Sequence, residues 1–73
     1  MSEFAVALFH TTSAAMRADK TLRKAGLECR LVPTPRQLTS DCGIAVRFAV
    51  EDEGPVVAAL EQAGVEVVQV AHL

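Results

Sequence analysis

The chain has 73 residues, is 51% hydrophobic and carries a net charge of −2. That length holds one domain, residues 1–73, whose core supplies only about 3–5 kcal/mol without staples, so short and tightly connected elements are needed. With no Trp, no Tyr and only 3 Phe, the composition offers no aromatic platform on which bases stack, and nucleic acid is not an expected partner. The charge is unevenly spread. Residues 1–36 carry six basic against three acidic side chains (net +3), and residues 37–73 carry one against six (net −5). A bipolar molecule of this kind is oriented by a charged partner.

The amino end, Met1-Ser2-Glu3, has no basic n-region, and His10 breaks the apolar run that follows. No signal peptide is expected, and no apolar run reaches the length of a membrane span. The expected location is the cytoplasm, where the 2 cysteines stay as thiols and a Cys29–Cys42 disulfide is not expected.

Phe4-Ala5-Val6-Ala7-Leu8-Phe9 is apolar throughout and suits a central strand. His10-Thr11-Thr12-Ser13 offers hydroxyls for a helix N-cap. Ala14, Ala15, Ala18, Leu22 and Ala25 then form one side of a helix, with Arg17, Lys20 and Lys24 opposite. Gly26 stops that helix. Leu27 to Val32 alternates, with Leu27, Cys29 and Leu31 inward and Glu28 and Arg30 outward, as in a strand buried on one side. Pro33 ends it.

Residues Pro33 to Gly43 form a loop that is long for a hairpin connection, and such loops are disproportionately functional. Val32 and Thr34 each precede a proline and are pushed to extended conformations. Thr34-Pro35-Arg36-Gln37 fits a capping box, so one helical turn is expected there. Ile44 to Val50 reads as a second apolar strand, with Ile44, Val46, Phe48 and Val50 on one face. Glu51-Asp52-Glu53-Gly54-Pro55 is a helix entrance, with acids at the positive end of the dipole. Val56, Ala59, Leu60 and Ala63 make its apolar stripe, Gly64 ends it, and Val65 to Val70 is the last strand.

This is βαβ twice. The two helix-to-strand joints echo one another, Ala25-Gly26-Leu27-Glu28 beside Ala63-Gly64-Val65-Glu66. Two right-handed units of this kind make an α/β (α+β) sandwich of ferredoxin-like βαββαβ topology, a four-stranded antiparallel sheet with both helices on one face. The strands that start at Phe4 and Ile44 are expected at the centre, and those that start at Leu27 and Val65 at the edges. The uncovered face, or a sheet edge, then offers a dock for a partner or a second copy.

Among residues that carry chemistry, Cys42 comes first. It sits between Asp41 and Gly43 just before a central strand, and a glycine beside a nucleophile leaves the backbone uncrowded. The thiolate is the reactive form, and at an unperturbed pKa of ~8.5 only a few per cent is ionised near neutrality. Arg36 and Arg47 would raise that fraction, while Asp41 would lower it. His10 would face the start of the third strand in this topology, which makes a His10–Cys42 dyad conceivable. Cys29 shares a strand face with leucines and reads as a small core residue. No C-x-x-C or H-x-x-x-H spacing and no phosphate-binding glycine fingerprint is present, so neither a metal nor a cofactor is expected. The basic face Arg17, Lys20, Lys24 reads as a solvated helix face.

The stretch Leu31-Val32-Pro33-Thr34-Pro35-Arg36, followed by Ser40-Asp41-Cys42-Gly43-Ile44-Ala45-Val46-Arg47-Phe48, resembles the short bacterial selenium/sulfur carrier protein-like domains. The likeness extends over nearly the whole chain, and Pro-x-Pro-Arg to Cys-Gly is its specific part. The resemblance implies that Cys42 is a carrier thiol rather than part of a turnover enzyme. It would hold sulfur or selenium as a persulfide or perselenide, taken from a donor such as a cysteine desulfurase and passed to an acceptor protein. Arg36 and Arg47 would stabilise the anion. The alternative is a non-catalytic module of the same fold, which binds a small anion through Arg36 and Arg47 or adds a strand to a partner's sheet.

Overall fold

The computed structural model describes residues 3–35, 38 and 43–72. Its elements are β1 (Phe4–Leu8), α1 (Thr12–Lys24), β2 (Cys29–Pro33), β3 (Ile44–Ala49), α2 (Glu53–Gln62) and β4 (Gln69–His72), with a 3-10 turn over Val50–Asp52 leading into α2. The strands form one sheet in the order β2-β3-β1-β4, antiparallel at every pairing. This is the ferredoxin-like α+β fold, with β1 and β3 central and β2 and β4 at the edges as the hydrophobic pattern requires.

Local signals act where expected. Thr11 is the N-cap of α1, its backbone extended and its Oγ1 accepting from the Ala14 N–H at 3.0 Å. Gly26 and Gly64 follow the two helices with φ of +81° and +72°, the left-handed conformation that costs glycine least. Ala15, Ala18 and Leu22 of α1 and Val56 and Leu60 of α2 pack on Ala5, Ala7, Val46 and Phe48, which makes the main core between helices and sheet.

The boundaries shift in several places. Ala25 is exposed at the end of α1 rather than part of its stripe. β2 starts at Cys29, because Leu27 is spent on the helix exit, where its N–H bonds Leu22 O at 2.9 Å. Leu31 does share a face with Cys29, but on an edge strand it stays 40% exposed. Val50 leaves the sheet to open the 3-10 turn. The last strand begins at Gln69 rather than Val65. Val65 turns inward at 7% exposure to close the core under α2, and the following residues carry the chain from the helix layer back to the sheet.

The largest departure concerns the sheet's second face. Val6, Leu8 and Ala45 lie on the side away from the helices, yet all are fully buried, in a second cluster with Val32, Ala71 and Leu38. Leu38 comes from the loop after β2, so the loop folds back over the sheet, and this face is covered at the end where β1 leaves and β3 enters. Replacing the half-buried Leu38 with Ala is expected to cost about 1 kcal/mol, read as a lower urea midpoint; an unchanged midpoint would show that Leu38 is not needed as cover.

Candidate functional site

The site is built on the β2–β3 hairpin. Its ladder runs to the Pro33–Ile44 pair, and one further bond closes the loop's base, from the Thr34 N–H to Gly43 O at 3.1 Å. Inside the loop the Leu38 N–H bonds Pro35 O at 3.0 Å, a three-residue turn where a helical turn was expected. Cys42, Arg36 and the Thr34–Gln37 capping box involve residues outside those described. Gly43, which follows Cys42 in the sequence, is exposed. It has no positive φ, and a Cβ built on it meets nothing within 4 Å. Neither backbone conformation nor packing within the chain therefore calls for glycine at this position.

Leu8 pairs with Ala45, so the chain leaving β1 towards His10 and the chain entering β3 from Gly43 lie at one end of the sheet. His10 is exposed there, with its Nε2 3.5 Å from Glu66 Oε1. Arg47 stands four residues along β3 from Gly43, about 13 Å at ordinary strand rise. Its guanidinium lies 4.5 Å from the centre of the Phe4 ring, at the opposite end of β1. The second histidine, His72, pairs with Glu53 of α2.

Cys29 is a buried free thiol, 8% exposed. Its Sγ lies 3.2 Å from Asp19 Oδ1 and donates to that carboxylate, which also accepts from Arg23 Nε at 3.1 Å. Burial first, then the hydrogen bond to Asp19 and its charge, push the thiol up to about 11, against a smaller downward pull from Arg23. Cys29 is thus protonated and sheltered at neutral pH, in keeping with a core role. The Asp19–Arg23 pair is the sequence's own i,i+4 signal, Asp on the amino side. What the sequence hides is that the pair closes over the end of β2.

Two features escaped the sequence reading. The first is the guarded outer edge of β2. The Thr34 N–H points to β3, so by alternation the outward backbone groups of β2 are those of Cys29, Leu31 and Pro33. Arg23 Nη2 takes the Cys29 carbonyl at 3.4 Å, and Pro33 has no N–H to offer. Only Leu31 presents both groups, so strand addition at this edge is disfavoured. The second is Arg30, which pairs directly with Arg47 across the strands. Arg17, by contrast, is not simply solvated: its Nη2 donates to Ala63 O at 3.3 Å, tying α1 to the end of α2.

With this geometry in place, the comparison with known families is direct. The chain matches the family described as "Putative Se/S carrier protein-like" over residues 4–72 and belongs to it. No curated protein and no solved structure matches the chain. Among the described residues no group of His, Cys, Asp and Glu is placed to hold a metal ion, and no helix is long and apolar enough to cross a membrane.

The Cys29 thiol gives a pH signature. Its pKa is raised by folding, so the unfolded chain ionises first, near ~8.5, and stability falls as pH rises from there through about 11. Urea midpoints for the wild type are expected to drop more steeply between about pH 8 and pH 10.5 than those of Cys29→Ala. Equal slopes would mean that the thiol is not held as described.

Proposed function

We propose that the protein is a cytoplasmic sulfur or selenium carrier that holds a persulfide or perselenide on Cys42 and relays it between proteins. The observation that carries this reading is the contrast between its two thiols. Cys29 is buried, hydrogen bonded to Asp19 and raised to about 11, which disqualifies it as a nucleophile. Cys42 is the remaining thiol, in the segment that carries the family resemblance, next to a glycine whose missing side chain serves no internal need. An open backbone beside the sulfur suits a reaction in which a second protein's sulfur must come within bonding distance.

The chemistry is thiol exchange. The Cys42 thiolate attacks the outer sulfur of a donor persulfide, forming the Cys42 S–S bond as the donor's S–S bond breaks and its thiolate leaves. An acceptor thiolate then attacks the same outer sulfur, and Cys42 departs as thiolate. Each step consumes one thiolate and releases one, with no external oxidant or reductant. The chain acts as a carrier rather than a turnover enzyme and needs no metal or cofactor. Arg36 is the cation of the loop that would hold the anion. Arg47 would help only from a side-chain position other than its stack on Phe4. His10, at the same end of the sheet as Gly43, is the base candidate.

Incubation with a cysteine desulfurase and cysteine, followed by intact mass spectrometry, tests this. Wild type and Cys29→Ala are expected to gain one sulfur atom, and Cys42→Ser none; loading on Cys29, or no gain in the wild type, overturns the reading. Gly43→Val is expected to keep the wild-type urea midpoint and to load more slowly, because the added side chain meets nothing within the chain but crowds the incoming sulfur.

A further inference from the structure

The described arginines differ in what holds them. Arg17 is bonded to the Ala63 carbonyl and Arg23 to the Asp19 carboxylate. Arg30 and Arg47 have no carboxylate partner among the described residues, although they are a directly paired cross-strand couple on the face away from the helices. Like charges set about 5.5 Å apart at Cα repel one another, so the pair costs the fold stability. Nothing inside the chain repays that cost: Glu28 lies along the same groove but forms no ion pair with either guanidinium.

The surroundings say what would repay it. The loop and Leu38 cover the half of this face near Gly43, and the half near Phe4 stays open. There an open groove of about 930 Å³ runs along the start of β2 and the end of β3, lined by Phe4, Arg30, Leu31, Arg47 and Ala49 among others. Phe4 and Leu31 are 39% and 40% exposed. Arg47 is already stacked on Phe4, which fixes its planar fork before any ligand arrives. Arginine and aromatic side chains together are the composition of protein-interface hot spots. A small oxyanion would use only the guanidiniums of so wide a groove. An acidic protein segment would place carboxylates on Arg30 and Arg47 and an apolar side chain against Phe4 or Leu31.

We propose that Arg30, Arg47 and Phe4 form a docking site for an acidic segment of a partner protein. The site is distinct from the Cys42 loop and does not depend on the thiol chemistry. Because β2's outer edge is blunted, the segment lies on the sheet's face rather than joining its edge. The chain's own charge asymmetry, net +3 over residues 1–36, steers such a segment to the half that carries Arg30.

The test is an amide NMR titration of the full chain with octaglutamate, with inorganic phosphate as the small-anion control. Shifts are expected at Phe4, Arg30, Arg47 and Ala49, weakening as salt is raised. The Arg30→Gln/Arg47→Gln double variant is expected to bind on the order of tenfold more weakly with its spectrum otherwise folded. Three results overturn the proposal: shifts confined to Arg17, Lys20 and Lys24, equal binding by the double variant, or the same shifts at the same affinity with phosphate. Concentration-dependent shifts of the free chain at Arg30 and Arg47 would assign the face to a second copy instead. Sulfur loading of Cys42 is scored separately, so failure of either idea leaves the other standing.

Discussion

The structure depends on one strand being buried on both faces. Four of the five residues of β1, Ala5 to Leu8, have no solvent exposure. Ala5 and Ala7 face the helices, and Val6 and Leu8 face away. A chain this short has only two helices, and both are used on one side. The second side of β1 must be covered by something else, and the loop between β2 and β3 supplies Leu38 for it. The loop therefore has a structural task as well as a chemical one: its fold-back on the sheet is what shields Val6 and Leu8 from water.

That double use bears on the thiol segment. The loop leaves the hairpin at Thr34 and returns at Gly43, and the hydrogen bond between these residues holds the two ends together. Pro33 and Pro35 stiffen its departure, and the Leu38 turn anchors its middle. The segment that carries Cys42 is thus tethered at a hairpin base and at a hydrophobic contact, a sounder support than a free loop gives. Cys29 shows the opposite design, a thiol locked beneath Asp19 and Arg23, where burial and a carboxylate both oppose ionisation. The same residue type does two jobs because its surroundings set the cost of the charged form.

The uncovered half of the sheet has a different character. Arg30 and Arg47 repel one another across β2 and β3, and the chain provides no carboxylate for either among its described residues. Where Arg23 meets an acid, the pair closes an edge; where Arg30 and Arg47 do not, the charge faces outward. Such placement gives the molecule a covered end near Gly43 and a cationic, partly aromatic end near Phe4 on one face.

Most of the fold was legible from local rules. The hydroxyl cap at Thr11, the left-handed glycines at Gly26 and Gly64, and the apolar alternation of β1 and β3 act through neighbours in sequence, so the βαββαβ order and the central and edge strands follow from the chain alone. The family resemblance rests on the same footing, carried by Pro-x-Pro-Arg and Cys-Gly. Boundaries were less legible: Val65 has the composition of a strand, but whether it pairs or plugs the core depends on how far the chain must travel from α2 to β1. The pairing of Arg30 with Arg47, the shelter of Cys29 by a carboxylate ten residues earlier, and the cover that Leu38 gives to Val6 and Leu8 were decided only by tertiary structure. Each depends on hairpin register or on which residues of distant elements share a face, and a period in sequence names the face of a residue without naming what lies across from it.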